Sequence, residues 1–331
     1  MDDKWDFLLS EFRRLGGVAE NVCQKEGEYG RGIFPENPNL RSRIFTPTKL
    51  MIKMEDIYID CNQLEIKKHK DYTNEIKDFF NFYQDKFYWG NGGRETTEFF
   101  EKGLSLFNSN LKKLIKKYVL VDLEKRHYGD WDNVVKKQFL NARVVCFGNS
   151  PVIAPVWDLI NHEVISLPFI ITHDGLSTPY YPPMDREITF SYNNKSSLNR
   201  FFKYGFFAKE TIVFSFPFSM NIKELGINFV CQGKEIKDDS INIELSDNEI
   251  ILEGIPIADV NQRTLPSDYF DQILRRINDV KIPKNLLSEI IKYNISSRQE
   301  IFHESSMINH EVANMLCEII SYELNLISTY D

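Results

Sequence analysis

The chain has 331 residues, 42% of them hydrophobic and 13% aromatic; this supports one large core or two moderate ones and speaks against a disordered chain. No apolar run is long enough to span a bilayer, and the acidic start Met1-Asp2-Asp3-Lys4-Trp5-Asp6 has no apolar stretch of the secretory kind, so a cytosolic location is expected, with the nucleus open. A net charge of −8 argues against direct nucleic-acid binding and mildly favours a basic partner.

In residues 3–15, Trp5, Leu8, Leu9, Phe12 and Leu15 recur at helical spacing, and Gly16-Gly17 supplies the cap that ends an amphipathic helix. Residues 29–53 read instead as strands and turns, short apolar pairs separated by Gly, Pro and Asn. Helical period returns over 71–119. Tyr72, Ile76, Phe79, Phe80, Tyr83 and Phe87 form one stripe, and Phe99, Phe100, Phe107, Leu111, Leu114 and Ile115 another. Between the stripes lies Trp89-Gly90-Asn91-Gly92-Gly93, which lacks the strand-before, helix-after setting of a phosphate loop and reads as a linker. A further helix is expected over Asp132–Asn141, and strands over 142–215, among them Arg143-Val144-Val145-Cys146-Phe147 and Ile188-Thr189-Phe190, with a short helix at 197–203. Beyond about residue 216 the pattern predicts a hairpin over 241–252, turning at Asp247-Asn248, and helices near 268–278, 284–293 and 308–327. Strands, helical insert, strands and helical tail make an α+β chain, and argue against a doubly wound parallel sheet.

Cys23, Cys61, Cys146, Cys231 and Cys317 have neither disulfide nor zinc-ligand spacing and are expected as small buried hydrophobes. Three segments carry chemistry. Gly30-Arg31-Gly32-Ile33-Phe34 lets the backbone approach a ligand closely, although a GxG alone is most often a turn. Asp158-Leu159-Ile160-Asn161-His162 can bond a ligand's polar edges, or be a capped turn with a satisfied imidazole; His162 has no partners at metal-ligand spacing. Glu187-Ile188-Thr189-Phe190-Ser191-Tyr192 is a strand ending in a tyrosine, followed by Tyr204-Gly205-Phe206-Phe207; a core strand tyrosine is the plainer reading.

In this order the three segments resemble the SET-domain methyltransferases, in particular the subgroup similar to the Rubisco large-subunit methyltransferase, over nearly the whole chain. The resemblance implies a β-rich SET domain over 1–215 with a helical insert at about 61–140, then a mainly helical lobe over 216–331 that docks a protein substrate. It implies S-adenosylmethionine (AdoMet) as methyl donor, with Tyr29, Gly30, Arg31, Arg143, Asn161 and His162 around it and no metal. Tyr192 falls at the catalytic tyrosine, and Tyr204 and Phe206 at the lining of a lysine channel. Glu163 and Ala142 depart from the family, which has serine at both places. The activity implied is protein-lysine N-methylation by a monomer with no membrane partner. Histidine methylation, or a catalytically silent protein-binding module, are the other readings; an intact Tyr192, Asn161 and His162 count against the last.

Overall fold

The computed structural model describes residues 3–126, 128–192, 196–222, 226–234, 243–246, 248–260, 266–276 and 285–329. The chain divides into two compact units, residues 1–99 with 130–193, and residues 100–129 with 194–331. This division does not coincide with a boundary at residue 215, since 194–215 group with the later residues.

The first unit is built on short strands. The helix Asp3–Arg14 buries Trp5, Leu8, Leu9 and Phe12, and ends where Gly16 takes φ +92°, a left-handed conformation open to glycine. Trp5 meets Phe87 edge-on at 5.8 Å, and Phe12 lies over Phe79 at 6.2 Å. Phe79 and Phe87 come from the helix Asn74–Phe87, whose first turn is capped by the Thr73 hydroxyl accepting from the Ile76 amide. Around them stand a four-stranded antiparallel sheet, in the order Val18–Glu20, Arg43–Pro47, Gly175–Ser177, Ile170–Ile171, and a three-stranded one, Ile52–Lys53, Ser150–Ile153, Val145–Phe147. The elements that build the site are the hairpin Val22–Gly27/Gly30–Pro35 and a parallel pair, Asn161–His162 beside Thr189–Phe190.

The second unit is mainly helical. Helices Ser109–Tyr118, Ser197–Tyr204, Leu286–Ser306 and Glu311–Ile327 share a core of Leu111, Ile115, Phe201, Ile301, Leu316 and Ile320. A sheet ordered Phe218–Ile222, Ile227–Cys231, Glu249–Leu252, Ile243–Ser246 contributes Phe229, Ile250 and Leu252 to a second core with Phe270 and Ile290. Buried among these helices, Arg298 pairs with Glu323 at 2.9 Å and donates to the Phe214 carbonyl, while Glu323 accepts the Leu198 amide. Each charge thus meets opposite charge and hydrogen bonds at once, the condition under which a buried pair is tolerated. Among the described residues no helix is long and apolar enough to cross a membrane.

The α+β class and most elements agree with the sequence reading, but several details differ. Trp89–Gly93 is no loose linker: Trp89 is buried against Phe139 and donates to the Asn62 carbonyl at 2.9 Å, and a side chain at Gly93 would strike the Phe139 ring. Arg143 is not in a strand. The helix Trp131–Arg143 runs through it, and the strand starts at Val145. The helix expected over 284–293 continues to Ser306, and the chain beyond 216 also carries the strands Phe218–Ile222, Ile227–Cys231 and Pro256–Asp259. Only Cys231 is buried; Cys23 and Cys317 are half-buried, Cys61 lies in an exposed turn and Cys146 on the outer face of a short strand. Asn193, Asn194 and Lys195, Ile241 and Asn242, Asp247, residues 277 and 278 and residue 284, all part of expected elements or motifs, lie outside the described residues.

Candidate functional site

The hairpin Val22–Gly27/Gly30–Pro35 turns through Glu28 and Tyr29, and Gly30 sits at φ +84° with open space where a side chain would begin. At Gly32 the reason for glycine is contact. A Cβ there would lie 1.9 Å from the Glu187 carboxylate and 2.8 Å from the Asn161 amide nitrogen. Tyr29 is 47% exposed. Desolvation, then the carboxylates of Glu163, Glu28 and Glu187, push its phenol upward in pKa.

The Asn-His segment reaches this hairpin after a tight turn. Val156 is held at φ +69°, a strained conformation for a β-branched residue, just before the single turn Trp157–Leu159. Asn161 and His162 then pair in parallel with Thr189 and Phe190, and the Ile188 amide donates to the Ile33 carbonyl at 2.7 Å. Asn161 Nδ2 donates to the Arg31 carbonyl at 3.2 Å and to Glu187 Oε1 at 2.7 Å. Two oxygens facing one end of the amide fix its orientation, because the flipped amide would set oxygen against oxygen. His162 is buried, and its Nδ1 accepts the Tyr192 amide at 3.1 Å, which selects the tautomer with hydrogen on Nε2. Glu163 takes the hydroxyls of Thr189 at 2.7 Å and Ser166 at 2.8 Å; the Thr189 bond is the main reason its carboxyl titrates below the usual range.

Tyr192 closes this cluster. Its hydroxyl donates to the Ile160 carbonyl at 2.8 Å, and its ring lies 5.1 Å from both His162 and Phe190. Phe190 in turn stacks on Trp157 at 4.4 Å. The residue is half-buried, and its phenol proton is directed at that backbone carbonyl.

Arg143 approaches from the end of its helix. The residue is exposed as a whole, but its guanidinium lies 5.2 Å from the Tyr88 ring centre and 5.9 Å from that of Phe139, and Nη1 is 3.4 Å from the Asp158 carbonyl. Beneath it lies Asp158, which the sequence offers as the cap of a turn. Asp158 is buried and accepts the Tyr83 hydroxyl, and the Tyr88 hydroxyl faces the same carboxylate, although among the described residues neither it nor Asp158 Oδ2 makes a hydrogen bond of full geometry. Desolvation pushes the Asp158 carboxyl up to about 7, against the Tyr83 hydrogen bond and the Arg143 charge. Asp158 is thus a buried acid rather than a turn cap, and Glu187 a partner of Asn161 rather than a generic strand residue.

Of the residues singled out from sequence, Gly30, Arg31, Asn161, His162 and Tyr192 come together through direct bonds or strand neighbours, with Tyr29 at the hairpin turn and Arg143 joined through Asp158. Tyr204 and Phe206 belong to the second unit, their rings 5.9 Å apart on either side of Gly205, which caps the helix at φ +78°.

No protein-family model matches the chain, and no curated protein matches it in sequence. Solved structures similar to it include the SET domain of LSMT bound to lysine and AdoHcy, 14% identical over 99% of this chain and 90% of that one, with a TM-score of 0.45. Two others are Rubisco LSMT bound to AdoMet (12%, 100% and 91%, TM-score 0.47) and Rubisco LSMT bound to sinefungin and monomethyllysine (14%, 100% and 91%, TM-score 0.45).

Proposed function

We propose that the chain is a SET-domain methyltransferase that methylates a lysine of a protein substrate, with AdoMet as donor. The supporting observation is the convergence of three distant segments, in which Asn161 bonds the Arg31 carbonyl and Glu187 while His162 holds the Tyr192 backbone. On this reading Tyr29, Gly30, Arg31, Asn161, His162 and Arg143 hold the donor. The fit rests on the open space at Gly30 and on an Asn161 amide oriented by its two acceptors. When bound, AdoMet supplies a methyl group on a sulfonium.

The residues of the chain then have to align and desolvate an amine, which is most of what an in-line displacement requires. Aromatic walls, assigned by the resemblance to Tyr204 and Phe206, disfavour the ammonium form of lysine and so favour the neutral nucleophile. Tyr192, with its proton on the Ile160 carbonyl, accepts an amine N–H and orients the nitrogen lone pair. Residues 216–331 serve, on this proposal, to dock the protein substrate; charge reversals on their surface are expected to raise the apparent KM, and a KM indifferent to all of them sinks that part. Calorimetry with AdoMet, then mass-spectrometric comparison of lysate proteins with and without the chain, tests the whole. Saturable binding and new methyl-lysine support it; absence of binding refutes it.

A further inference from the structure

Glu187 is a half-buried carboxylate with no ion-pair partner among the described residues, although Arg31 and Arg186 are near in sequence or space. Both flanking faces of the hairpin are cut back to let it in. A Cβ on Gly32 would overlap Glu187 Oε1, and one on Gly27 would come within 2.7 Å of Oε2. Among the described residues its one hydrogen bond comes from Asn161 Nδ2, the group that also donates to the Arg31 carbonyl. With both Nδ2 hydrogens taken, Asn161 Oδ1 is the part of the amide left to a ligand. Three kinds of acceptor are therefore gathered around the Asn161 amide: a backbone carbonyl, the amide's own oxygen and a carboxylate. An ammonium, with three donors and no acceptor, is the complement of such a set; a carboxylate or phosphate is repelled by it.

Resting on the reading of this cleft as the AdoMet site, we propose that Glu187 is the anionic positioning residue for the α-ammonium of the donor's amino-acid end, fixing the Asn161 amide and supplying the opposing charge. The surroundings agree. Desolvation, and then the carboxylates of Glu163 and Glu28, raise the Glu187 carboxyl above its ordinary range, whereas its bond from Asn161 lowers it. Tyr29 on the hairpin turn stands in the same negative field. A cation bound here relieves that field, so binding favours the ionised carboxylate.

The test is calorimetric titration of the full chain with AdoMet, AdoHcy and methylthioadenosine, which lacks the amino-acid end. Glu187→Gln keeps an oxygen for Asn161 and removes only the charge. It is expected to weaken AdoMet and AdoHcy by about tenfold or more, the loss typical of a charge-assisted hydrogen bond, and to leave methylthioadenosine within about twofold. Wild-type affinity for AdoMet should fall as the pH drops through the raised Glu187 titration, because the proton competes with the ligand cation; the Gln variant should lack this limb. If the Gln variant does not fold, shown by loss of its cooperative thermal unfolding transition, Glu187→Asp takes its place. Retracting the charge by one methylene should weaken the two amino-acid-bearing ligands alone. Equal weakening of all three ligands, or of none, overturns the proposal while leaving the AdoMet site standing. A wild-type chain that binds none of the three overturns the site and the proposal together.

Discussion

Replacing Tyr192 by Phe removes one oxygen and keeps the ring that packs at 5.1 Å on Phe190 and His162. The lost bond is the 2.8 Å donation to the Ile160 carbonyl, whose residue is fully buried. A neutral bond of this kind contributes about 1 kcal/mol, and an acceptor left unpaired brings the cost to about 1–3 kcal/mol. The melting temperature should therefore fall by several degrees, on the order of 2–4 °C per kcal/mol. AdoMet affinity should change little, since Asn161, His162 and the hairpin keep their bonds. Turnover is a different matter: removal of a preorganised polar group from a dry site costs roughly 10²-fold in rate, about 2.7 kcal/mol of transition-state stabilisation. Single-turnover methylation of the lysine found in lysate, measured beside thermal unfolding of the same variant, separates the two effects. A variant that is less stable but equally fast would strip Tyr192 of its catalytic role and leave it a packing tyrosine beyond the strand Thr189–Phe190.

Asn161→Ala should weaken AdoMet binding by about 1–3 kcal/mol in calorimetry, because it leaves the Arg31 carbonyl and Glu187 without their donor and removes Oδ1; wild-type affinity in the variant would contradict the carry-over of the Asn-His pair. Asp158, whose carboxyl is raised to about 7 in the fold against roughly 4 in an unfolded chain, keeps its proton in the native state through that interval. Native protein then binds more protons than unfolded, so its contribution to stability is full below about pH 4 and is lost as pH rises to about 7, by at most ~4 kcal/mol. Denaturation midpoints of wild type relative to Asp158→Asn across this range should show the decline, and parallel curves would refute it. In the second unit, Glu323→Ala strands the buried Arg298 guanidinium and the Leu198 amide, at an expected cost of roughly 3–5 kcal/mol in chemical unfolding. A cost under about 1 kcal/mol would mean that water reaches the pair.

What could be seen in the sequence depended on whether one short stretch carried the signal. The helix Asp3–Arg14 and the hairpin around Asn248 follow from local period and turn residues, and Gly30, Asn161, His162 and Tyr192 from contiguous motifs. The helix Leu286–Ser306 was expected to stop at 293 because its inward face continues as Asn294, Ser297, Arg298 and Ser305, polar residues that are buried against partners and break the apolar stripe. Arg143 was expected in a strand because Val144 and Val145 follow it, although the helix ends only there. Glu187 and Asp158 stand within the motifs, yet nothing local distinguishes a surface acid from one seated on two glycines or beneath two tyrosines. Their significance is tertiary. The same holds for Tyr83, which an aromatic stripe marks only as core, and for Tyr88, which lies just beyond that stripe.

The central claim is methyl transfer to protein lysine. Incubating the purified chain with methyl-tritiated AdoMet and lysate, then hydrolysing the labelled proteins to amino acids, tests it most directly. The expected result is label in methylated lysine of a restricted set of proteins, and near-absence of label with Tyr192→Phe. Label in methylhistidine instead, or no label despite AdoMet binding, would contradict it, and methyl-lysine unaffected by Tyr192→Phe would remove only the role given to that tyrosine.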